Sequence, residues 1–188
     1  MLSSLLDRNA VDYPARYGFS NARSTATPPN PSSRSGAPTG TTFGTWPTRS
    51  TARACGVDIN RLSLDTLRAA DPAVGCVLGA ARHLPIRDRS FDMVFTIGLL
   101  IHQPDSSLAT VVRDIVRCSS RWVMFGEYSA DKPTEIEYRG RTGLLFKRDY
   151  VWLVSELCPD LHHVATEELT LAEDGFDRVT WGVFERRP

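Results

Sequence analysis

The residues of this 188-residue chain that are equipped for chemistry stand at the ends of short apolar runs. Asp58 closes the run Gly56-Val57-Asp58-Ile59-Asn60, a buried-strand pattern with a carboxylate at its tip. Such a carboxylate accepts hydrogen bonds from both hydroxyls of a ribose, bidentate and charge-assisted. It serves equally well as a cap for a helix starting near Arg61. His102 ends the run Gly98-Leu99-Leu100-Ile101-His102. An imidazole titrates near neutral pH, so it can orient or deprotonate a substrate group, and it can also simply pack or cap a loop. Glu127-Tyr128 end a further apolar run, and Gly79-Ala80-Ala81 follow another. The segment 135–150 concentrates Glu135, Glu137, Tyr138, Arg139, Arg141, Lys147, Arg148 and Asp149, which suits a substrate lid or a solvated surface loop. His162-His163 lie on a late strand, face opposite sides and receive no role.

The elements that must position these groups begin at Cys55. "CGVDI" reads as a strand, and "NRLSLDTLRAADP" as a helix with Leu62, Leu64, Leu67 and Ala70 at mostly helical spacing. "AVGCVLG" and "SFDMVFTIG" read as buried strands. In "SSLATVVRDIVRCS" a helix gathers Leu108, Val111, Val112, Ile115 and Val116 on one side. "RWVMFGEY" reads as a strand apolar on both faces. A polar excursion over 129–146, a helix near 147–157 and the strands "HHVATEELTL" and "RVTWGVFERR" follow, the last two as an antiparallel pair at one sheet edge. Strands alternating with helices predict an α/β fold, a doubly wound and mostly parallel sheet covered on both sides. In such sheets a ligand sits beyond the carboxyl ends of the strands, where all the groups above are found.

Residues 20–54 are of another kind. They are Ser, Thr, Pro, Gly, Ala, Arg and Asn, with Phe43 and Trp46 the only large apolar side chains. Such composition predicts a low-complexity, disordered segment 1–54 ahead of a domain over 55–188. Lys and Arg number 22, as do Asp and Glu, so the net charge is zero and no nucleic-acid footprint is expected. Four cysteines without a Cys-x-x-Cys pair predict reduced thiols and no zinc site. The first ten residues lack the basic start of a signal peptide, and no apolar stretch has membrane-spanning length. A cytoplasmic protein that takes a small molecule and neither nucleic acid nor a membrane is the expectation; oligomeric state is left open.

"GVDIN", "GAARHLPIRDRSFDMVFTIGLLIH" and "RWVMFGEY" resemble the later strands of class I S-adenosylmethionine-dependent methyltransferases. With "EYRGRTGLLFKRDY", the chain resembles more specifically the methylases associated with pseudaminic acid biosynthesis, over about 56–188. The resemblance implies S-adenosylmethionine as cofactor and Asp58, with Ile59 and Asn60 beside it, at the ribose. It implies Ala80 and Ala81 beside the adenine, where many relatives carry an acidic residue and this chain has none. Ile97 and Gly98 would line the methionine side, with His102 at the substrate mouth. His102 and Glu127 are the candidates for a base, needed only if the acceptor must lose a proton. A catalytically inactive binding module is the alternative from a different class. A nicotinamide-dependent enzyme would use Asp58 in the same way, but "LPIRDRSFDMV" argues against it.

One part of the resemblance is lacking. The family's first strand and Gly-rich turn should precede Gly56, and "SRSGAPTGTTFG" has no strand before it. The genetic code offers an explanation. With each codon's third base joined to the next codon's first two, Ser32 to Gly36 can read Val/Leu-Val/Leu-Glu-Val-Gly where Arg34 uses an AGR codon. The following residues then continue into a Gly-x-x-x-Gly turn and an amphipathic helix. Residues 20–54 are therefore read as frame-shifted or aberrant, with the first strand and Gly-rich loop missing or degenerate.

Overall fold

The computed structural model describes residues 17–21, 53–169 and 178–187. Strand β1 is Tyr17–Asn21 and β2 is Arg53–Asp58. Helix α1, Arg61–Ala70, is capped by Asn60, whose side chain accepts the Leu62 N–H, and it ends at Asp71 ahead of Pro72. Strand β3 is Gly75–Leu78 and β4 is Phe91–Ile97. A single 3-10 turn, Leu100–His102, leads to α2, Asp105–Cys118. Strands β5, Ser119–Tyr128, β6, Thr134–Tyr138, and β7, Arg141–Lys147, follow. Helix α3 is Tyr150–Leu157, and β8, Leu161–Leu169, and β9, Val179–Arg186, complete the chain.

Seven strands form one sheet in the order β3-β2-β1-β4-β5-β9-β8. β2 and β3 are parallel, as are β4 and β5, while β9 is antiparallel to β5 and to β8. The expected α/β arrangement is present, and so is the expected edge pair, β8 with β9, but the sheet is not mostly parallel: two of its six strand pairings are parallel, because β1 and β9 each run against both of their neighbours. One face buries Leu108, Val111, Val112, Ile115 and Val116 of α2 and Val154 of α3 against Val94, Val123, Phe125 and Phe184. Met93, Phe95, Met124, Trp181 and Val183 form a second cluster from alternate positions of the same strands. Leu64 and Leu67 of α1 form a third with Val74. A Cβ on Gly182 would lie 2.8 Å from the Phe125 ring, so only glycine lets that ring cross the neighbouring strand.

Two further expectations change here. First, no parallel strand precedes β2 among the described residues, yet the central slot is filled. β1 lies there, antiparallel to both neighbours, with Phe19 opposite Cys55 on one side and Val94 on the other. Antiparallel and parallel ladders both satisfy the backbone groups of the flanking strands, so a five-residue segment closes the gap without supplying the family's turn. Tyr17 sits at the level of Val57 and Thr96, so the chain enters the sheet at the carboxyl edge of β2 and β4. It leaves at the opposite edge, where Asn21 pairs with Arg53. Second, the polar excursion contains the hairpin β6–β7, closed at Arg139-Gly140 with φ of 54° and 71°, the handedness of a tight hairpin turn. Residues 22–52, which carry the proposed frame-shifted stretch and its glycines, lie outside the described residues. No helix among the described residues is long and apolar enough to cross a membrane.

Cys55, Cys76, Cys118 and Cys158 are free thiols. Cys55 packs on the main core and Cys76 on the third cluster. Burial pushes the thiols of Cys55, Cys118 and Cys158 up to about 11. The unfolded chain therefore loses these protons at lower pH than the folded one, and stability falls as pH rises from about 9 to about 11. Urea midpoints measured across that range should decrease, and a flat profile would refute the burial of these thiols. Hydrogen exchange tests the central strand. The Gly18, Phe19 and Ser20 amides should be protected alongside Val94 and Phe95, whereas exchange at unprotected rates would remove β1 from the slot.

Candidate functional site

The carboxyl ends of β2 and β3 form the first half of the site. Asp58 is 8% exposed, and its Oδ1 accepts the Asn60 N–H at 2.8 Å. Asn60 Oδ1 in turn accepts the Leu62 N–H at 2.9 Å. The helix is thus capped by Asn60, and Asp58 braces the cap from a buried position. The Asp58 carbonyl accepts the Gly79 N–H at 3.0 Å, which ties the two strand ends together. Next to this carboxylate stand Ile59, Leu62 and Leu78, all more than half exposed. Apolar side chains left open at a strand end form a shelf suited to a flat ring. Ala80 is exposed and turns back on His83, whose N–H donates to its carbonyl at 3.0 Å. Ala81 is buried in the main core, so of this pair only Ala80 faces outward.

The second half begins where β4 ends. Ile97 is half-buried and Gly98 has φ of 58°, a left-handed conformation that favours glycine. The Gly98 N–H donates to the Gly126 carbonyl at 2.9 Å. Glu127, 1% exposed, takes the next donors: Oε1 accepts the Leu99 N–H at 3.1 Å and the Thr96 hydroxyl at 3.4 Å. Its Oε2 accepts the Ile101 N–H at 3.2 Å. These bonds account for the shape of the 98–102 loop. His102 follows directly, half-buried, with Nδ1 2.8 Å from the Leu144 carbonyl. A carbonyl only accepts, so Nδ1 carries the proton and, in the neutral ring, Nε2 is the basic nitrogen.

The hairpin β6–β7 rises beside this loop. Its base is closed by the Ala130 N–H donating to the Arg148 carbonyl at 3.3 Å. Arg148 is buried, pairs with Asp105 of α2 at 2.6 Å, reaches the Tyr150 hydroxyl at 3.3 Å and lies over the Phe146 ring. Tyr150, 1% exposed, donates to the Phe146 carbonyl at 2.7 Å. Burial raises its phenol pKa, with the Glu127 charge adding in the same direction. Further out, Leu144 and Tyr138 touch His102, the Tyr138 ring edge-on at 5.7 Å. The structure therefore groups Ile97, Gly98 and His102 with Glu127 of β5 on one side of β1, and Asp58, Ile59, Asn60 and Ala80 on the other.

The Arg148–Tyr150–Phe146 anchor went unread in the sequence because its residues are interleaved with charged neighbours. The signal that shows the hairpin is the alternation of Ile136 and Tyr138, turned inward, with exposed Glu135 and Glu137. Tyr128 and Lys132 have the four-residue spacing of a hydride-transfer pair, but they fall on a strand end and the loop after it, not on one helix face. His162 and His163 are exposed on β8, and His163 Nε2 meets the Thr166 hydroxyl at 2.7 Å. Among the described residues, no group of His, Cys, Asp and Glu side chains is arranged to hold a metal.

Residues 34–121 match a family profile described as a methyltransferase domain, a little under half of the chain. No curated protein matches it. Among solved structures it is similar to the 1,6-didemethyltoxoflavin N1-methyltransferase of Burkholderia thailandensis, a complex with its substrate and S-adenosylhomocysteine. The identity is 15% and the TM-score 0.56, over 71% of this chain and 61% of that one. An S-adenosylmethionine-dependent methyltransferase of Methanosarcina mazei gives 13% identity and a TM-score of 0.56, covering 70% and 81%. The N-methyltransferase NodS of Bradyrhizobium japonicum, bound to S-adenosylhomocysteine, gives 11% and 0.54, covering 71% and 66%. At such identities the likeness establishes the fold.

Proposed function

We propose that this chain, a domain of the S-adenosylmethionine-dependent methyltransferase fold, transfers a methyl group from S-adenosylmethionine to a small molecule. One observation carries the reading: a buried carboxylate, Asp58, at the tip of β2 beside an open apolar shelf, with a second strand-end loop next to it carrying a half-buried histidine. When bound, S-adenosylmethionine supplies a methyl on a sulfonium, and the chain's own residues bind and orient. Asp58 accepts from the ribose hydroxyls, with Asn60 fixing the loop behind it. Ile59 flanks the adenine, Ala80 leaves room at its edge, and Ala81 supports the turn from the core. Ile97 and Gly98 border the methionine side. His102 takes the acceptor's proton on Nε2 where the acceptor must lose one, and the rest of the work is alignment.

The strings "GLLIH" and "EYRGRTGLLFKRD" favour a sugar or sugar nucleotide of pseudaminic acid biosynthesis as the acceptor, and with it a place in the cytoplasm. We read residues 20–54 as a frame-shifted version of the cofactor loop. The coding DNA in the shifted frame should then encode Gly-x-x-x-Gly, and a stop codon there would refute the reading.

A second reading, a methyltransferase-like module that binds a partner without catalysis, is favoured by the direction of β1. An antiparallel central strand delivers no outgoing turn to the edge between Asp58 and Gly98. Calorimetric titration with S-adenosylmethionine, with NAD as control, separates the two. The leading reading expects micromolar binding of the methyl donor alone. Asp58→Ala should weaken it at least about tenfold, because hydrogen bonds to a charged group are worth about 1.5–3 kcal/mol. Asp58→Asn, which can still brace Asn60, should lose most of the same affinity. A folded chain that binds neither compound selects the inactive module.

A further inference from the structure

We infer that Glu127 is a positioning residue: through the loop at 98–102 it sets His102, and through His102 it sets the hairpin β6–β7 over the strand ends. The inference rests on the methyl-transfer reading for its purpose but not for its geometry. Glu127 is enclosed, 1% exposed, and both carboxylate oxygens are engaged. A carboxylate in that state has no route to an acceptor molecule, so its action is on the backbone. Together with the Gly126 carbonyl it collects the N–H groups of Gly98, Leu99 and Ile101, the donors that a left-handed residue and a single 3-10 turn leave without local partners. An ionised carboxylate accepts from Leu99 and Ile101 at once, whereas a neutral amide of the same shape presents an N–H to one.

The loop held in this way ends at His102. The His102 N–H donates to the Leu99 carbonyl at 3.1 Å, so the ring's backbone is fixed one turn from the Glu127 contacts. The ring then does two things. Its Nδ1–H holds the Leu144 carbonyl of β7, and its face meets the Tyr138 ring of β6. The hairpin is fastened at its base by Arg148, Asp105 and Tyr150, and His102 adds a contact to its outer half. Glu127, the 98–102 loop, His102 and Leu144 form one hydrogen-bonded chain. It runs from the core of β5 to the outside of the hairpin, and it fixes which ring nitrogen keeps its proton.

The test reads His102 directly. Nitrogen-15 spectra of the imidazole, at a pH where the ring is neutral, should show the Nδ1-protonated tautomer in the unaltered chain. Glu127→Gln keeps the volume and loses one acceptor. It should shift at least about half of His102 to the Nε2-protonated form that an unconstrained imidazole prefers. Thr96→Val removes the longest of the Glu127 contacts and leaves both N–H bonds, so the tautomer should stay as it is. If Glu127→Gln does not fold, Glu127→Asp, which keeps the charge and shortens the reach, carries the same comparison. An unchanged tautomer in the Glu127 variant, or an equal change in Thr96→Val, overturns the inference. A chain that shows the tautomer shift but binds no S-adenosylhomocysteine leaves this inference standing and removes the methyl-transfer reading instead.

Discussion

Every functional position depends on what closes the gap between β2 and β4. Those two strands carry the two halves of the candidate site, and each turns a row of backbone donors and acceptors toward the gap. A buried unpaired group costs about 1–3 kcal/mol, so an open gap of several residues would outweigh the stability of an ordinary domain. β1 meets that requirement with five residues, pairing Tyr17–Asn21 with β2 and Tyr17–Ser20 with β4. The ladder reads backbone and not side chains, which is why a short segment rich in small and polar residues can serve. What the ladder does not fix is direction, and direction decides which end of the strand meets the ligand edge.

Each half of the site has braces in the strand on its far side from β1. Asp58 is held by the Asn60 cap and by Gly79 of the neighbouring strand. The 98–102 loop is held by Gly126 and Glu127 of β5. Each half is braced from its outer side, away from the slot. The sheet thus carries a buried carboxylate and an oriented histidine at one edge, one on each side of β1. Their separation is set by two inter-strand spacings, of about 4.8 Å each, and that spacing is the same for parallel and antiparallel neighbours.

Much of this was legible in the sequence, and the failures have identifiable causes. Helix α2 announced itself because Leu108, Val111, Val112, Ile115 and Val116 fall on one stripe, and all five are buried. Strands β4 and β5 announced themselves as continuous apolar runs, which a sheet covered on both faces demands. β1 gave no such signal: Tyr-Gly-Phe-Ser-Asn has two apolar residues in five, and its place is fixed by partners far along the chain. The β6–β7 hairpin was hidden by its charge, since six charged residues from Glu135 to Arg148 outweigh the quieter alternation of Ile136 and Tyr138. Glu127 and its place on the strand were plain from the apolar run it closes. Its role was not legible, because the N–H groups it accepts are supplied by a loop some thirty residues earlier that has no pattern of its own.

The family match begins at Arg34, whereas the strand in the slot ends at Asn21. The segment in the slot thus lies outside the stretch that matches the family profile. The family's turn and the strand pairing answer to different forces. A Gly-rich turn has its value in letting backbone approach a cofactor closely. The pairing follows the need to satisfy two rows of buried backbone groups, which any extended segment can meet. Only a strand running with β2 and β4 would satisfy both demands, since it alone would close the gap and then turn outward between Asp58 and Gly98. A strand running against them closes the gap and brings its first residue, Tyr17, to that edge instead. Stability alone therefore does not select a cofactor-competent sheet. The direction of the central strand decides which of its residues reach the edge between Asp58 and Gly98.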